Sequence, residues 1–224
     1  MLRLFRNIKY LLIRIAGNSP ALYLLLKLVP AWEELLVVKD TRICIEGFPR
    51  SANTFLVLFF SHWNPGLKAA HHLHLPIQVK MATKYKVPTV VVIRHPLDAI
   101  SSLMVRESFL YTWVAIKSYI LFYRMLNNQN FIFVNFEDCT KRPETIIALV
   151  NEKYGQHFKG EVLTEQVNEH LFKMIDRVNK INAKEETATS RPSKLKDSLK
   201  KQIIVNILHH RLYGPALKLY QDLV

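Results

Sequence analysis

Apolar positions fall in short blocks along this chain, and the blocks change period in a regular order. The runs near 42–47, 88–93 and 131–135 are nearly continuous and rich in β-branched or aromatic residues, as strands covered on both faces are. Apolar residues recur at three- and four-residue spacing over 53–62, 76–86, 96–106, 110–128 and 142–154, which predicts helices with one buried face. A further short strand is expected near 68–74. Strand and helix taking turns predict an α/β fold, a parallel sheet flanked by helices on both faces. The stretch 162–224 reads as a helical C-terminal part with a polar loop inside it.

The first 32 residues carry five basic side chains and no acidic one, and Leu2, Leu4, Phe5, Ile8, Leu11, Leu12 and Ile15 recur near helical spacing. That is a basic amphipathic helix, suited either to an anionic membrane surface or to covering the sheet. Gly17, Asn18 and Pro20 break the apolar run between Arg14 and Lys27, so neither a transmembrane helix nor a signal peptide is expected.

At 224 residues, half of them hydrophobic, a single domain over 1–224 is the expectation. Within it, 1–40 is the basic amphipathic segment, 41–155 a nucleotide-binding core and 156–224 the helical C-terminal part. Two cysteines, Cys44 and Cys139, make no disulfide framework and fit a reducing, cytoplasmic setting with membrane association left open. A net charge of +13 favours anionic partners. No zinc finger, helix-turn-helix or RNP-like motif accompanies it, which argues against nucleic acid.

The charge has a focus. The strand-like run ends at Gly47, a polar turn follows, and a helix-like run starts near Thr54. Strand, turn and helix N-terminus make an anion cradle of free backbone N–H groups and helix dipole. Arg50 and the hydroxyls of Ser51 and Thr54 add to it. The G-x-x-x-x-G-K-[ST] pattern laid on Gly47–Thr54 matches at its first and last positions only: Ala52 replaces the second glycine and Asn53 the lysine. The fold is therefore expected to be P-loop NTPase-like without the lysine that serves phosphoryl transfer. A second element, Arg94-His-Pro-Leu-Asp98, closes the 88–93 strand at the sheet edge where α/β proteins bind ligands, with Ser102 about two helical turns on.

These elements resemble those of the PAPS-dependent sulfotransferases, PAPS being 3′-phosphoadenosine 5′-phosphosulfate. Pro49-Arg-Ser-Ala-Asn-Thr-Phe55 is similar to the family's P-K-S-G-T-T-W loop. Ile93-Arg-His-Pro-Leu-Asp-Ala-Ile-Ser-Ser102 is similar to its R-x-P-x-D-x-x-x-S element, and Val134-Asn-Phe-Glu-Asp138 to its strand-end Y-E-D. The resemblance implies that Arg50, Ser51, Ala52, Asn53 and Thr54 hold the 5′-phosphosulfate. It implies Phe55 against the adenine, and Arg94 with Ser102 on the 3′-phosphate. A late basic loop, through Arg191 or Lys194, would close over that phosphate. Three departures stand out: Arg50 for lysine, which changes geometry; Ala52 for glycine, which demands a loop without positive φ there; and Phe136 for tyrosine, which loses a hydroxyl.

Sulfuryl transfer needs a base for the acceptor proton, and the cluster His71-His-Leu-His74 lies where the family places its own. In an extended segment His72 and His74 point the same way. The His74-Leu-Pro76 context favours His74 and the spacing to Arg94 favours His72, so both stay open. No metal is required. The expected activity is transfer of a sulfuryl group from PAPS to a hydroxyl or amine of a small-molecule or carbohydrate acceptor. The stretches 56–86 and 104–128 would line the acceptor pocket. A kinase on a related fold and a non-catalytic, membrane-associated nucleotide-binding protein are the alternatives.

Overall fold

The computed structural model describes residues 1–126, 130–182 and 194–224. Four parallel strands form one sheet in the order β2-β1-β3-β4: β1 (Ile43–Gly47), β2 (Ala69–His71), β3 (Thr89–Ile93) and β4 (Ile132–Asn135). Their register sets Ile45 beside both Val90 and His71, and Val92 beside Val134. The chain leaves β1, passes through helix α3 (Asn53–Trp63) and pairs on one side as β2. It then crosses through α4 (Pro76–Lys84) to pair on the other side as β3. The order reverses between β1 and β3, and a crevice opens beyond the carboxyl ends of strands at such a switch point.

The strand residues sort by parity into two cores. Val91 and Ile93 face a layer built from α5 (Pro96–Arg106) and α6 (Thr112–Arg124). Val90, Val92, Ile43 and Ile45 face α3 and α8 (Pro143–Tyr154), with α7 (Phe136–Lys141) between β4 and α8. Both faces of β1 and β3 are buried throughout, which is why those runs carry no polar/apolar alternation. α9 (Glu165–Asn182) packs on α3, and α10 (Lys194–Leu208) packs along α5. α11 (Tyr213–Leu223) covers α5 and α6. Proline opens α4, α5 and α8, where its missing N–H has no intrahelical acceptor to lose.

The N-terminal segment is α1 (Leu2–Ala16), α2 (Pro20–Lys27), capped by the Ser19 hydroxyl, and a 3₁₀ turn over Pro30–Leu35. Among the described residues no helix is long and apolar enough to cross a membrane.

Two expectations about local backbone need correction. The strand placed near 68–74 stops at His71, and the histidine segment is not extended: His72 and His74 have φ of 61° and 53°. Ala52 does adopt positive φ, 67°, in the left-handed region. In the histidine segment, backbone bonds to Glu46 override the local preference.

Candidate functional site

Gly47 ends β1 with no room for a side chain. A Cβ there would sit 2.5 Å from the Val92 carbonyl oxygen and 2.7 Å from Asn53 Oδ1. That approach lets β1 hand over to the turn 48–52 directly against β3. The turn reverses through two left-handed residues, Arg50 (φ 72°) and Ala52, before α3 begins at Asn53. The first amides of α3 have no acceptor within their own helix and face the switch-point crevice.

Arg94 leaves the end of β3 beside this turn. Its Nη1 donates to the Arg50 carbonyl oxygen at 2.8 Å, and Arg50 Nε donates to Ser102 Oγ at 3.1 Å. Two segments some fifty residues apart in sequence are thus joined at one point. The Arg94 guanidinium also lies 3.9 Å from the centroid of the Phe136 ring. The residue that lacks the tyrosine hydroxyl therefore still supplies a face for a cation.

α6 fixes both segments from below. The Tyr119 hydroxyl donates to the Arg94 carbonyl at 2.8 Å, and the Tyr123 hydroxyl to the Val92 carbonyl at 2.9 Å. Tyr123 also accepts the Phe48 N–H at 3.4 Å.

Around this junction is a cavity of about 300 Å³. Arg50, Asn53, Thr54, Phe55, Arg94 and Ser102 lie on its wall, as do Ala52, His72 and His74. The structure thus gathers nearly all the residues singled out by sequence. Ser51 differs: it is fully buried beneath the turn and does not reach the wall. Arg191 lies outside the described residues.

Several wall residues carried no sequence assignment. Arg106 stands one turn beyond Ser102 on α5, a spacing that puts both on one helix face. Phe136 and Thr140 come from α7, Phe172 and Ile175 from α9, and Lys200 from α10. Among the described residues of the stretches 56–86 and 104–128, only His72, His74 and Arg106 reach the cavity. The wall holds three arginines and a lysine and no carboxylate among the described residues. Burial, then the charges of Arg106 and Arg94, pull the Arg50 guanidinium down to about 10.

The histidines are arranged by a buried acid. Glu46 is fully buried on β1, and its two carboxyl oxygens accept the N–H groups of Leu73 (2.8 Å) and His74 (3.0 Å). The chain curls around that carboxyl, which accounts for positive φ on either side of Leu73. Burial pushes the Glu46 carboxyl up to about 8, against the pull of those backbone bonds.

His74 Nδ1 lies 2.8 Å from the Gly47 carbonyl oxygen, an acceptor only, so Nδ1 carries the proton and Nε2 the free lone pair. His72 is engaged at both nitrogens, with Thr54 Oγ1 at 2.7 Å from Nε2 and with His71 at Nδ1. Burial holds His74 at about 3 and His71 at about 4, and pushes His72 well below its ordinary value. All three are neutral at pH 7. Among the described residues no group of His, Cys, Asp and Glu side chains is set to hold a metal ion.

No protein-family model matches the chain, and no curated protein matches it. Among solved structures it is similar to a crystal structure of mouse sulfotransferase SULT7A1 complexed with PAP. The identity is 13%, the TM-score 0.45, and the match covers 93% of this chain and 90% of that one. At that score and identity the likeness carries no weight for function.

Proposed function

We propose that this chain is a sulfotransferase, that its cavity takes PAPS, and that it moves the sulfuryl group to a hydroxyl or amine of a small-molecule or carbohydrate acceptor. One observation carries the reading: the Gly47–Thr54 turn and the Arg94–Ser102 element meet through Arg50 in a cavity whose charged wall residues, among those described, are all cationic. A nucleotide with anionic groups at both its 5′ and 3′ ends matches two adjacent anion sites. Phe55, with its ring 5.9 Å from that of Phe172, supports an apolar slot for a base. Lysine at the P-loop position is absent, which disfavours a kinase.

In this scheme an acceptor oxygen or nitrogen attacks sulfur, and its proton passes to His74 Nε2. The bond from sulfur to the bridging oxygen breaks, and the electron pair stays on the 5′-phosphate of the departing adenosine 3′,5′-bisphosphate. Arg50 and the α3 amides face that growing charge. His74, not His72, is assigned as base because His72 already has partners at both nitrogens. Burial alone leaves His74 a weak base, and the negative charge of the bound donor raises its proton affinity toward the working range.

Calorimetry with adenosine 3′,5′-bisphosphate, adenosine 5′-phosphate and ATP tests the reading. The bisphosphate is expected to bind about tenfold or more tighter than the monophosphate, since a charge-assisted contact contributes roughly 1.5–3 kcal/mol. Arg94→Ala should abolish that preference. Equal affinity for the two, or a preference for ATP, would overturn the assignment. Transfer from labelled PAPS to a panel of phenols, alcohols and sugars then identifies the acceptor class.

A further inference from the structure

Helix α1 is amphipathic in the usual sense but docked the opposite way round. Its polar stripe, Arg3, Asn7, Tyr10 and Arg14, faces the body. Asn7 is buried; its Nδ2 donates to the Phe109 carbonyl at 2.8 Å and its Oδ1 accepts the Tyr111 N–H at 2.8 Å. Arg3 Nε donates to the Phe109 carbonyl at 2.9 Å, and Arg14 Nη1 to the His74 carbonyl at 2.6 Å. Arg6 stacks on the Phe109 ring.

The apolar stripe, Leu4, Phe5, Ile8, Leu12 and Ile15, follows helical spacing and points to solvent; Phe5 is 66% and Leu12 59% exposed. α2 continues the pattern, with Leu24, Leu25 and Leu28 all more than half exposed. Burying such a stripe against the sheet is what a surface helix ordinarily does. Here specific polar bonds hold it outward.

We propose that α1, with the exposed leucines of α2, is a docking surface for an anionic lipid bilayer. The occupant follows from charge. The exposed basic residues Arg6, Lys9 and Lys27 border the apolar residues, and no acidic residue occurs before Glu33. A second copy pairing through α1 would bring like charges together with no acid on the helix to offset them. Anionic headgroups supply the missing charge while the acyl boundary takes the apolar stripe. The docking does not depend on which reaction the cavity performs.

The test is co-sedimentation of the full chain with vesicles of phosphatidylcholine alone and of equimolar phosphatidylcholine and phosphatidylserine. Binding to the anionic vesicles is expected to exceed binding to the neutral ones by about tenfold or more and to weaken as salt is raised. The variant Phe5→Ser/Ile8→Ser/Leu12→Ser changes exposed side chains only. It should lose the binding while keeping the thermal melt and the affinity for adenosine 3′,5′-bisphosphate. Lys9→Glu/Lys27→Glu should weaken binding to anionic vesicles selectively. Wild type that stays in the supernatant with anionic vesicles overturns the proposal, as does a triple-serine variant that binds undiminished. A wild-type dimer that the serine variant converts to monomer, without vesicle binding, assigns the face to a second copy instead.

Discussion

Ala52 occupies a conformation that its side chain disfavours. A non-glycine residue in the left-handed region costs roughly 1–2 kcal/mol, partly offset because glycine loses more freedom on folding. Ala52→Gly is therefore expected to stabilise the protein by up to ~1 kcal/mol, read as a higher denaturant midpoint, with the cavity intact. A lower midpoint would mean that the alanine methyl packs for more than its strain costs. The sequence pointed to this turn through Gly47, Arg50 and Thr54, but not to the sign of φ at Ala52. Local sequence carries no signal for that sign, and the turn is tied down by a contact 44 residues away, from Arg94 to the Arg50 carbonyl.

The histidines divide at the same scale. His74→Ala should lower sulfuryl transfer by roughly a hundred- to ten-thousandfold with little change in bisphosphate affinity. His72→Ala should cost much less. Histidine NMR adds a readout that rate alone lacks: bisphosphate binding should raise the His74 titration from its buried value. Equal losses of rate in the two single variants would sink the assignment of His74. Sequence placed both rings together but could not choose, because the choice lies in which nitrogens the Gly47 carbonyl and the Thr54 hydroxyl occupy.

Among the elements, helix existence and order were readable from hydrophobic period, and most limits agree within a few residues. α7 was not foreseen: Phe136–Lys141 is one short turn of helix with no apolar period of its own. Nor was the contribution of α9 and α10 to the cavity, since tertiary packing decides which helix folds over a strand end. The α6 tyrosines belong to this scale too. They read as core aromatics, and only the structure shows their hydroxyls on the Arg94 and Val92 carbonyls. Tyr123→Phe leaves a buried carbonyl and a buried N–H short of a partner. It is expected to cost ~1–3 kcal/mol of stability and to weaken bisphosphate binding. Unchanged affinity would show that α6 supports the fold without tuning the site. Gly47→Ala should be worse, because its Cβ would meet the Val92 carbonyl oxygen, backbone that cannot move aside, as well as the Asn53 side chain.

For the whole molecule, protons couple the site to stability. His71, His72 and His74 are held below 6.5 when folded, so below that pH the unfolded chain binds protons that the folded chain refuses. Their contribution is present above 6.5 and is lost as pH falls. Glu46 works the other way: raised from 4.5 to about 8, it favours the folded state at low pH and loses that advantage as pH rises toward 8. Three imidazoles outnumber one carboxyl between 4.5 and 6.5, so stability should climb across that window and decline gently above it. Denaturant melts across a pH series check this, and Glu46→Gln should flatten the upper limb. A profile that falls between 4.5 and 6.5 would contradict the buried, neutral histidine turn.

Arg50, Arg94 and Arg106 share one cavity wall, and among the described residues no carboxylate lines it. In the donor, negative charge at the 5′ end is spread over phosphorus and sulfur. Once the sulfuryl group has gone, it gathers on a single phosphate beside Arg50. On the proposed reaction, the grip on the nucleotide would then tighten just as the reaction ends, and letting go would become the slow event of each cycle. Rapid-quench measurements should show a first turnover at full speed, then a steady rate set by exit of the spent nucleotide. A charge-neutral substitution at Arg106, on the rim of this cluster, should quicken the steady phase more than it slows the burst.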